Sequence, residues 1–225
     1  MKTLCTTSLF YNKYIYKLRI KCPISSIFRG LNFRFAKTKL DKMQAAAESD
    51  MPIEHPFVKG IRSPNYISVE AFMDACVIYK FLERNRNDVL VRCEGYTLDI
   101  YSNTKDWLLE LSKYVNATEF TEPEINYVDF LKENTNTVIV DNPPKYKFKV
   151  YFDESANSAF ARYASENKDH IKIGPKALQA VEDSSYLKGY YFWVSSEKHL
   201  MLAKIALGTG ISRIVKYVSR DYLHK

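Results

Sequence analysis

Apolar and polar residues alternate over two widely separated stretches of the chain, residues 13–21 and 145–152. In both, every second residue is aromatic or aliphatic, and lysine or arginine fills most of the positions between them. Because successive side chains of a strand point to opposite faces, each stretch predicts a strand with one apolar and one basic face. Pro23 cannot donate to a β-ladder, so the first strand is expected to end before it.

Capping residues and helical periodicity predict the helices. Ser68 is a favourable N-cap for a helix that should end near Asn85. Its inward stripe is predicted to be Val69, Phe72, Met73, Cys76, Val77 and Phe81. Ser196 should cap another helix that Gly208 ends, and Pro175 should open a third. Further helical segments are expected within residues 25–47, 103–115, 120–132 and 155–168.

Short hydrophobic runs bounded by turn residues predict the remaining strands, at residues 89–93, 96–101, 137–140, 186–194 and 211–218. The run 186–194 is apolar on both faces, with Phe192 and Val194 on one side and Tyr191 and Trp193 on the other. Such a strand is typical of the middle of a sheet that is buried on both faces. An aromatic platform for bases or for a protein partner is the functional alternative.

Two segments recur in the same order. The stretch from Lys13 resembles the stretch from Lys145, and Gly95-Tyr-Thr-Leu-Asp-Ile-Tyr-Ser resembles Gly189-Tyr-Tyr-Phe-Trp-Val-Ser-Ser. Lys13 and Lys145 are farther apart than Gly95 and Gly189, so the first copy is the longer one, by nearly the size of an Ala-rich stretch plus a Pro-rich loop. An internal duplication explains this near-repeat. The general likeness of amphipathic strands and serine-capped helices is the alternative.

These elements predict a mixed α/β (α+β) protein made of two related half-domains. Each is expected to hold a small mixed or antiparallel sheet covered by helices, with a ferredoxin-like (split βαβ) arrangement as the natural candidate. The first half-domain is placed at residues 1–140, with an inserted Ala-rich helix and Pro-rich loop at about residues 38–66. The second is placed at residues 145–225.

The excess positive charge belongs to the N-terminal segment 1–40. The 225-residue chain has 33 Lys and Arg against 26 Asp and Glu, a net charge of +7. Nine of the basic residues and none of the acidic ones lie in this segment, so the rest of the chain is close to neutral. An acid-free N-terminus also occurs in transit peptides, but the strand-like alternation argues against one. Only 7 glycines are present, which argues against glycine-rich phosphate-binding loops.

The basic strand faces make nucleic-acid binding, without catalysis, the leading functional hypothesis. Cations at alternate strand positions are about 7 Å apart, close to the phosphate spacing of a nucleic-acid strand, and nearby tyrosines are suited to stacking on bases. The candidate phosphate-binding residues are Lys13, Lys17, Arg19, Lys21, Arg29, Arg34, Lys145, Lys147 and Lys149. For the second strand, lysines that only keep an exposed face soluble are an equally good explanation.

Two alternatives remain open. In the first, the chain is a structural or interaction protein of the virion or assembly type, whose basic and aromatic strands form interfaces with a protein partner or with further copies of itself. In the second it is a small metal-dependent nuclease, since Asp153, Glu166 and Lys168 have the spacing of such enzymes. That motif requires Glu and Lys on a strand, whereas residues 155–168 predict a helix. No catalytic residue, metal ligand or cofactor is predicted.

The expected setting is intracellular and reducing, because the four cysteines lack CxxC spacing. No apolar run is long enough for a transmembrane helix, so no membrane partner is expected. The expected partners are therefore nucleic acid, either DNA or RNA, or protein. The small, basic, Tyr- and Lys-rich composition gives the impression of a phage or viral accessory protein.

Overall fold

The structure, a computed structural model, describes residues 1–57, 66–142 and 144–223. The chain divides into two compact units, Met1–Val128 and Asp129–Lys225. Residues 58–65 of the Pro-rich loop expected within residues 38–66, including Gly60 and Pro64, lie outside the described residues.

A five-stranded mixed sheet organises the N-terminal unit. Its strands are β1 (Lys2–Thr6), β2 (Tyr16–Lys21), β3 (Leu90–Glu94), β4 (Thr97–Ser102) and β5 (Ala117–Pro123). Their order across the sheet is β1-β5-β2-β4-β3, with β1 parallel to β5 and all other neighbours antiparallel. The sequence pattern misses β1. Within the segment 120–132, where a helical segment is expected, residues 120–123 belong to β5 and the helical part begins at Ile125.

The helices of this unit are α1 (Phe33–Glu48), α2 (Val69–Arg84) and α3 (Lys105–Ser112), with 3-10 turns at Ser25–Leu31 and Ile125–Tyr127. They share one core with a single face of the sheet, to which β2 contributes Leu18 and Ile20. The Ser68 cap of α2 is confirmed, since its Oγ accepts a hydrogen bond from the Ala71 amide at 3.1 Å.

The inward stripe of α2 differs from the predicted one. The buried residues are Phe72, Ala75, Ile78 and Leu82, whereas Val69 and Met73 are more than half exposed. Both sets have helical spacing because α2 is apolar around much of its circumference. Periodicity therefore identifies the helix but not the side that packs on the sheet.

A second five-stranded mixed sheet organises the C-terminal unit. Its strands are β6 (Thr137–Val140), β7 (Phe148–Phe152), β8 (Ile171–Ile173), β9 (Tyr191–Val194) and β10 (Ile211–Ser219). Their order is β6-β10-β7-β9-β8, with β6 parallel to β10 and all other neighbours antiparallel. The strand β6, which the sequence prediction assigned to residues 1–140, pairs within this second sheet.

The remaining helices are α4 (Val128–Glu133), α5 (Ala159–Glu166), α6 (Pro175–Glu182), α7 (Glu197–Leu207) and α8 (Arg220–Leu223). Residues of α5, α6 and α7 share a core with Phe148, Val150 and Phe192 of the sheet. The predicted bounds of α7 are confirmed: Ser196 is its N-cap, and Gly208 ends it with a φ of 66°.

The two sheets have the same strand order and the same pairing directions. The first residues of β2 and β7 are separated by the same interval as Lys13 and Lys145, and those of β4 and β9 by the same interval as Gly95 and Gly189. The sequence near-repeat thus coincides with equivalent strands. The prediction of a mixed α+β chain with two related sheet-containing halves is confirmed. The ferredoxin-like assignment and the origin by duplication stay predictions.

Among the described residues, none of the helices is long and apolar enough to cross a membrane.

Candidate nucleic-acid interface

The register of the C-terminal sheet decides which side chains lie on the face opposite its helices. Directly opposed residues of neighbouring strands point to the same side of a sheet. Lys149 of β7 is opposite Trp193 of β9 and Val215 of β10, and Trp193 is in turn opposite Lys172 of β8. Lys149, Trp193 and Lys172 each alternate along their strands with residues of the buried core, so this row lies on the other face.

A second row continues the same face, with Tyr151 opposite both Tyr191 and Arg213. Tyr217 lies further along β10, on the side of Arg213. The face thus combines aromatic and basic residues. We call it the C-terminal outer face, defined by Lys149, Tyr151, Lys172, Tyr191, Trp193, Arg213 and Tyr217.

The aromatic rings of the C-terminal outer face form a continuous path. Ring centroids are 5.8 Å apart for Tyr151 and Tyr191, 6.3 Å for Tyr191 and Trp193, and 5.1 Å for Trp193 and Tyr217. All three distances fall in the range of favourable aromatic pairs. Tyr191 is 42% exposed and the other three rings are half-buried, so the rings fix one another while keeping surface for a ligand.

Two cations are seated among these rings. The Nζ of Lys149 is 3.8 Å from the Tyr191 centroid and 5.0 Å from that of Tyr151, and the guanidinium carbon of Arg213 is 4.3 Å from the Tyr151 ring. These are cation–π distances. Burial by itself would raise the pKa of Tyr151, but the hydrogen bonds and charges of Lys149 and Arg213 outweigh it and lower that pKa.

The charge of the C-terminal outer face is positive without an acidic counterpart on its strands. Within the described chain, no strand position on this side of the sheet carries Asp or Glu. Ion pairs of the unit are formed elsewhere, as by Arg162 with Glu166 on α5 and by Lys216 with Glu197 of α7. The face is therefore a site at which an anion would neutralise protein charge.

Only one of the three predicted lysines of the second basic strand lies in β7 itself. Lys149 does, whereas Lys145 and Lys147 precede the strand and are exposed. The Lys147 carbonyl accepts a hydrogen bond from the Tyr217 amide at 2.7 Å, which keeps Lys147 next to the C-terminal outer face. The sequence prediction did not include Arg213 or Lys172 among the binding residues. For Arg213 a signal was present, because the strand pattern of residues 211–218 places it on the same side as Tyr217.

The expectation that the aromatic strand is buried on both sides is wrong. Phe192 and Val194 are fully buried, but Tyr191 and Trp193 lie on the C-terminal outer face. The helices α5, α6 and α7 share a core with the Phe192 face of this sheet, and Tyr191 and Trp193 lie on the opposite face, so this central strand has one core face rather than two. The strand is also shorter than expected and begins at Tyr191 rather than at residue 186.

In the folded chain, part of the positive charge predicted for the N-terminal basic strand lies outside the strand or is neutralised by carboxylates. The strand β2 begins at Tyr16, so Lys13 lies in the preceding turn. Arg19 donates to Asp99 through Nε at 2.6 Å and Nη2 at 2.9 Å, and its Nη1 is 3.5 Å from Glu119. The hydrogen bond to Asp99 raises the pKa of Arg19, against the opposing effect of burial. The Asp99 side chain is only 5% exposed.

Aromatic residues of the β1–β2 connection cover part of this N-terminal face. The rings of Phe10 and Tyr11 have centroids 5.3 and 5.1 Å from that of Tyr101 on β4. The Nζ of Lys17 is 5.8 Å from the Phe10 centroid. Burial, reinforced by the charge of Asp99, raises the pKa of Tyr101. Rings of the chain itself thus pack against Tyr101 on this face of the sheet.

The other predicted N-terminal residues lie on separate elements. Lys21 ends β2, Arg29 lies in the 3-10 turn Ser25–Leu31, and Arg34 lies in the first turn of α1. All three are exposed. They keep their charge available to solvent, and their binding role stays a prediction.

The geometry gives no support to the nuclease alternative. Glu166 is the last residue of α5, and its carboxylate accepts a hydrogen bond from Arg162 Nε at 2.8 Å. Lys168 follows in a turn rather than on a strand. In the parts of the chain that the structure describes, no three His, Cys, Asp or Glu side chains are grouped for metal binding.

Two histidines form a stacked pair at the N-terminus of α7. The rings of His170 and His199 have centroids 3.7 Å apart with an interplanar angle of 14°. Ser195 contacts the first ring at 3.1 Å and Ser196 contacts the second at 2.8 Å. Burial, the charge of His170 and that of Lys198 lower the pKa of His199.

The chain matches no protein-family model and no curated protein sequence.

Proposed function

We propose that the chain binds single-stranded nucleic acid, without catalysis, through the C-terminal outer face. The observation that supports this is the continuous path of four aromatic rings, with cations among them, on an open sheet face that lacks carboxylates on its described strands. Sheet faces of this composition bind RNA and DNA by stacking unpaired bases on aromatic rings while lysine and arginine contact the phosphates.

Single strands fit this face better than a duplex does. Bases in a duplex are stacked on each other, so protein rings cannot reach their flat faces. An unpaired base leaves both of its flat faces accessible. Each stacked base contributes roughly 1–3 kcal/mol, largely independent of its identity. Stacking of two or three bases on Tyr151, Tyr191 and Trp193 would contribute roughly 2–9 kcal/mol, to which phosphate contacts add.

The predicted N-terminal cations take a different role in this proposal. Arg19 is held by two carboxylates, while Lys13, Lys21 and Arg34 are exposed. Exposed cations increase the rate of association with a polyanion through long-range attraction, and salt screens that attraction. Their replacement should therefore change the salt dependence more than the stacking signal.

Fluorescence anisotropy with labelled single-stranded and duplex oligonucleotides over a salt series tests the proposal. Tyr191→Ala should weaken single-strand binding about 5- to 100-fold, the equivalent of one lost stacked base. The matched control is Tyr186→Ala, which removes a tyrosine that is 62% exposed but outside the face. Equal affinity of the two variants, or no single-strand binding even at low salt, would refute the proposal.

A protein-interaction role is the second candidate, and one observation favours it. Met201, Leu202 and Ile205 of α7 are 65%, 40% and 76% exposed and lie close together on one side of the helix. Exposed apolar groups of this kind mark interaction surfaces when they are contiguous. Light scattering of the wild type and of Met201→Gln/Ile205→Gln tests it, since a partner-free monomer in both cases would contradict self-association.

A further inference from the structure

A cleft opens beside the C-terminal outer face, at the edge strand β8. It has a volume of about 720 Å³ and runs from Trp193 and Tyr191 past Lys172 to Gly174 and Lys176 at the start of α6. It lies entirely within the C-terminal unit.

The lining of the cleft combines two kinds of chemistry. Three of its residues are aromatic, Tyr190, Tyr191 and Trp193. Two are exposed lysines, Lys172 and Lys176, and no lining residue is acidic. A nucleotide has both matching parts, a flat, weakly polar base and an anionic phosphate.

The size of the cleft limits what it can hold. A volume of this order matches small-molecule and cofactor sites, which range over about 300–1,000 Å³. It accommodates one nucleotide and is too small for a base-paired helix. Because Trp193 belongs to both the cleft and the aromatic path, an occupant of the cleft is continuous with a strand bound on the face.

We infer that this cleft is a subsite for one nucleotide of the bound strand, whose phosphate lies between Lys172 and Lys176 and whose base packs on Trp193. This inference rests on the proposed function. It adds a site for one nucleotide beside the aromatic path. It also predicts that a free nucleoside monophosphate binds better than the corresponding nucleoside, because only the former has the charge that the two lysines neutralise.

The experiment uses the full chain with Trp107→Phe, which leaves Trp193 as its single tryptophan. Trp193 fluorescence is titrated with 5′-AMP and with adenosine, and anisotropy is measured with a fluorescein-labelled dT12 over a salt series. Lys172→Gln/Lys176→Gln should bind dT12 about tenfold more weakly, with a salt slope smaller by about 0.7 for one lost phosphate contact. It should also lose the preference for AMP over adenosine.

Lys198→Gln/Lys204→Gln on α7 is the matched control, with the same change in net charge at exposed positions outside the cleft. If both double variants lose affinity equally, or if AMP and adenosine quench Trp193 alike in the unsubstituted cleft, the subsite is overturned while the proposed function stands. If dT12 fails to bind even with all four lysines present, the proposed function itself fails, and the subsite with it.

Discussion

The Arg19–Asp99 pair allows the sharpest test of how the N-terminal sheet neutralises its own basic strand. Asp99 accepts two charge-assisted hydrogen bonds from Arg19, at 2.6 and 2.9 Å, and the Tyr101 hydroxyl is 3.4 Å away. In Asp99→Asn the side chain keeps its shape but loses its charge, so the guanidinium loses its main counter-charge. One of the two acceptor oxygens also becomes an NH2 donor, which cannot accept a hydrogen bond from Arg19.

The size of the effect follows from the burial of the two partners. Removing one member of a buried ion pair typically costs about 3–5 kcal/mol. Here the Arg19 side chain is 31% exposed and keeps Glu119 at 3.5 Å, so solvent and the second carboxylate screen part of the loss. Asp99→Asn should therefore lower the free energy of unfolding by about 2–3 kcal/mol, whereas Glu119→Gln, at a half-buried position, should cost about 0–1 kcal/mol.

Urea unfolding followed by Trp107 fluorescence in a Trp193→Phe background reports on the N-terminal unit alone. The joint replacement Arg19→Met/Asp99→Leu should be more stable than Asp99→Asn, because it removes both charges together. A loss below about 1 kcal/mol for Asp99→Asn, or equal losses for Asp99→Asn and Glu119→Gln, would show that the pair is solvated and that the basic strand keeps its charge.

Three further predictions concern the C-terminal unit. Gly210→Ala should lower the free energy of unfolding by about 1–3 kcal/mol, because the added Cβ would lie 2.6 Å from the Ser155 carbonyl oxygen. An unchanged midpoint of urea unfolding would contradict this backbone contact. Phe192→Ala should lower the free energy of unfolding by about 3–5 kcal/mol, since the fully buried ring contacts Phe152 and Phe160. A loss below about 1 kcal/mol would contradict the placement of this ring in the core. Because the pKa of His199 is lowered in the folded state, the unfolded state binds more protons at low pH. Stability should therefore be full above about pH 6.5 and fall as the pH drops below that value. His199→Asn should have a flatter dependence of the urea midpoint on pH, and an equally steep one would refute the assignment.

The two sheets illustrate how one topology can give two different surfaces. In the N-terminal sheet Arg19 meets Asp99 and Glu119, and Phe10 covers Tyr101. On the C-terminal outer face the equivalent central strands bring Lys149 against aromatic rings, without an acidic neighbour on the described strands. The proposed binding therefore belongs to one sheet and is not a property of the shared strand order.

Local chemistry decided much of the secondary structure, and the sequence shows it directly. Ser196 and Gly208 define α7 to the residue, because a capping hydroxyl and a left-handed glycine act within one helical turn. The alternation along β7 and β9 likewise separates the correct faces, with Phe192 inward and Trp193 on the opposite side. These features depend on neighbours in sequence, so tertiary contacts were not needed to predict them.

Strand order and the placement of the helices were decided only by the tertiary structure. The sequence shows a row of cations along β2, but only its position between β4 and β5 brings Asp99 and Glu119 against Arg19. Likewise, an apolar, aromatic strand predicts burial on both faces, and only the packing of helices on one side leaves Tyr191 and Trp193 on the other. Charge neutralisation and exposure depend on residues far apart in sequence. The basic N-terminus therefore predicted a binding surface in the first half of the chain, whereas the surface that we propose for binding lies in the second.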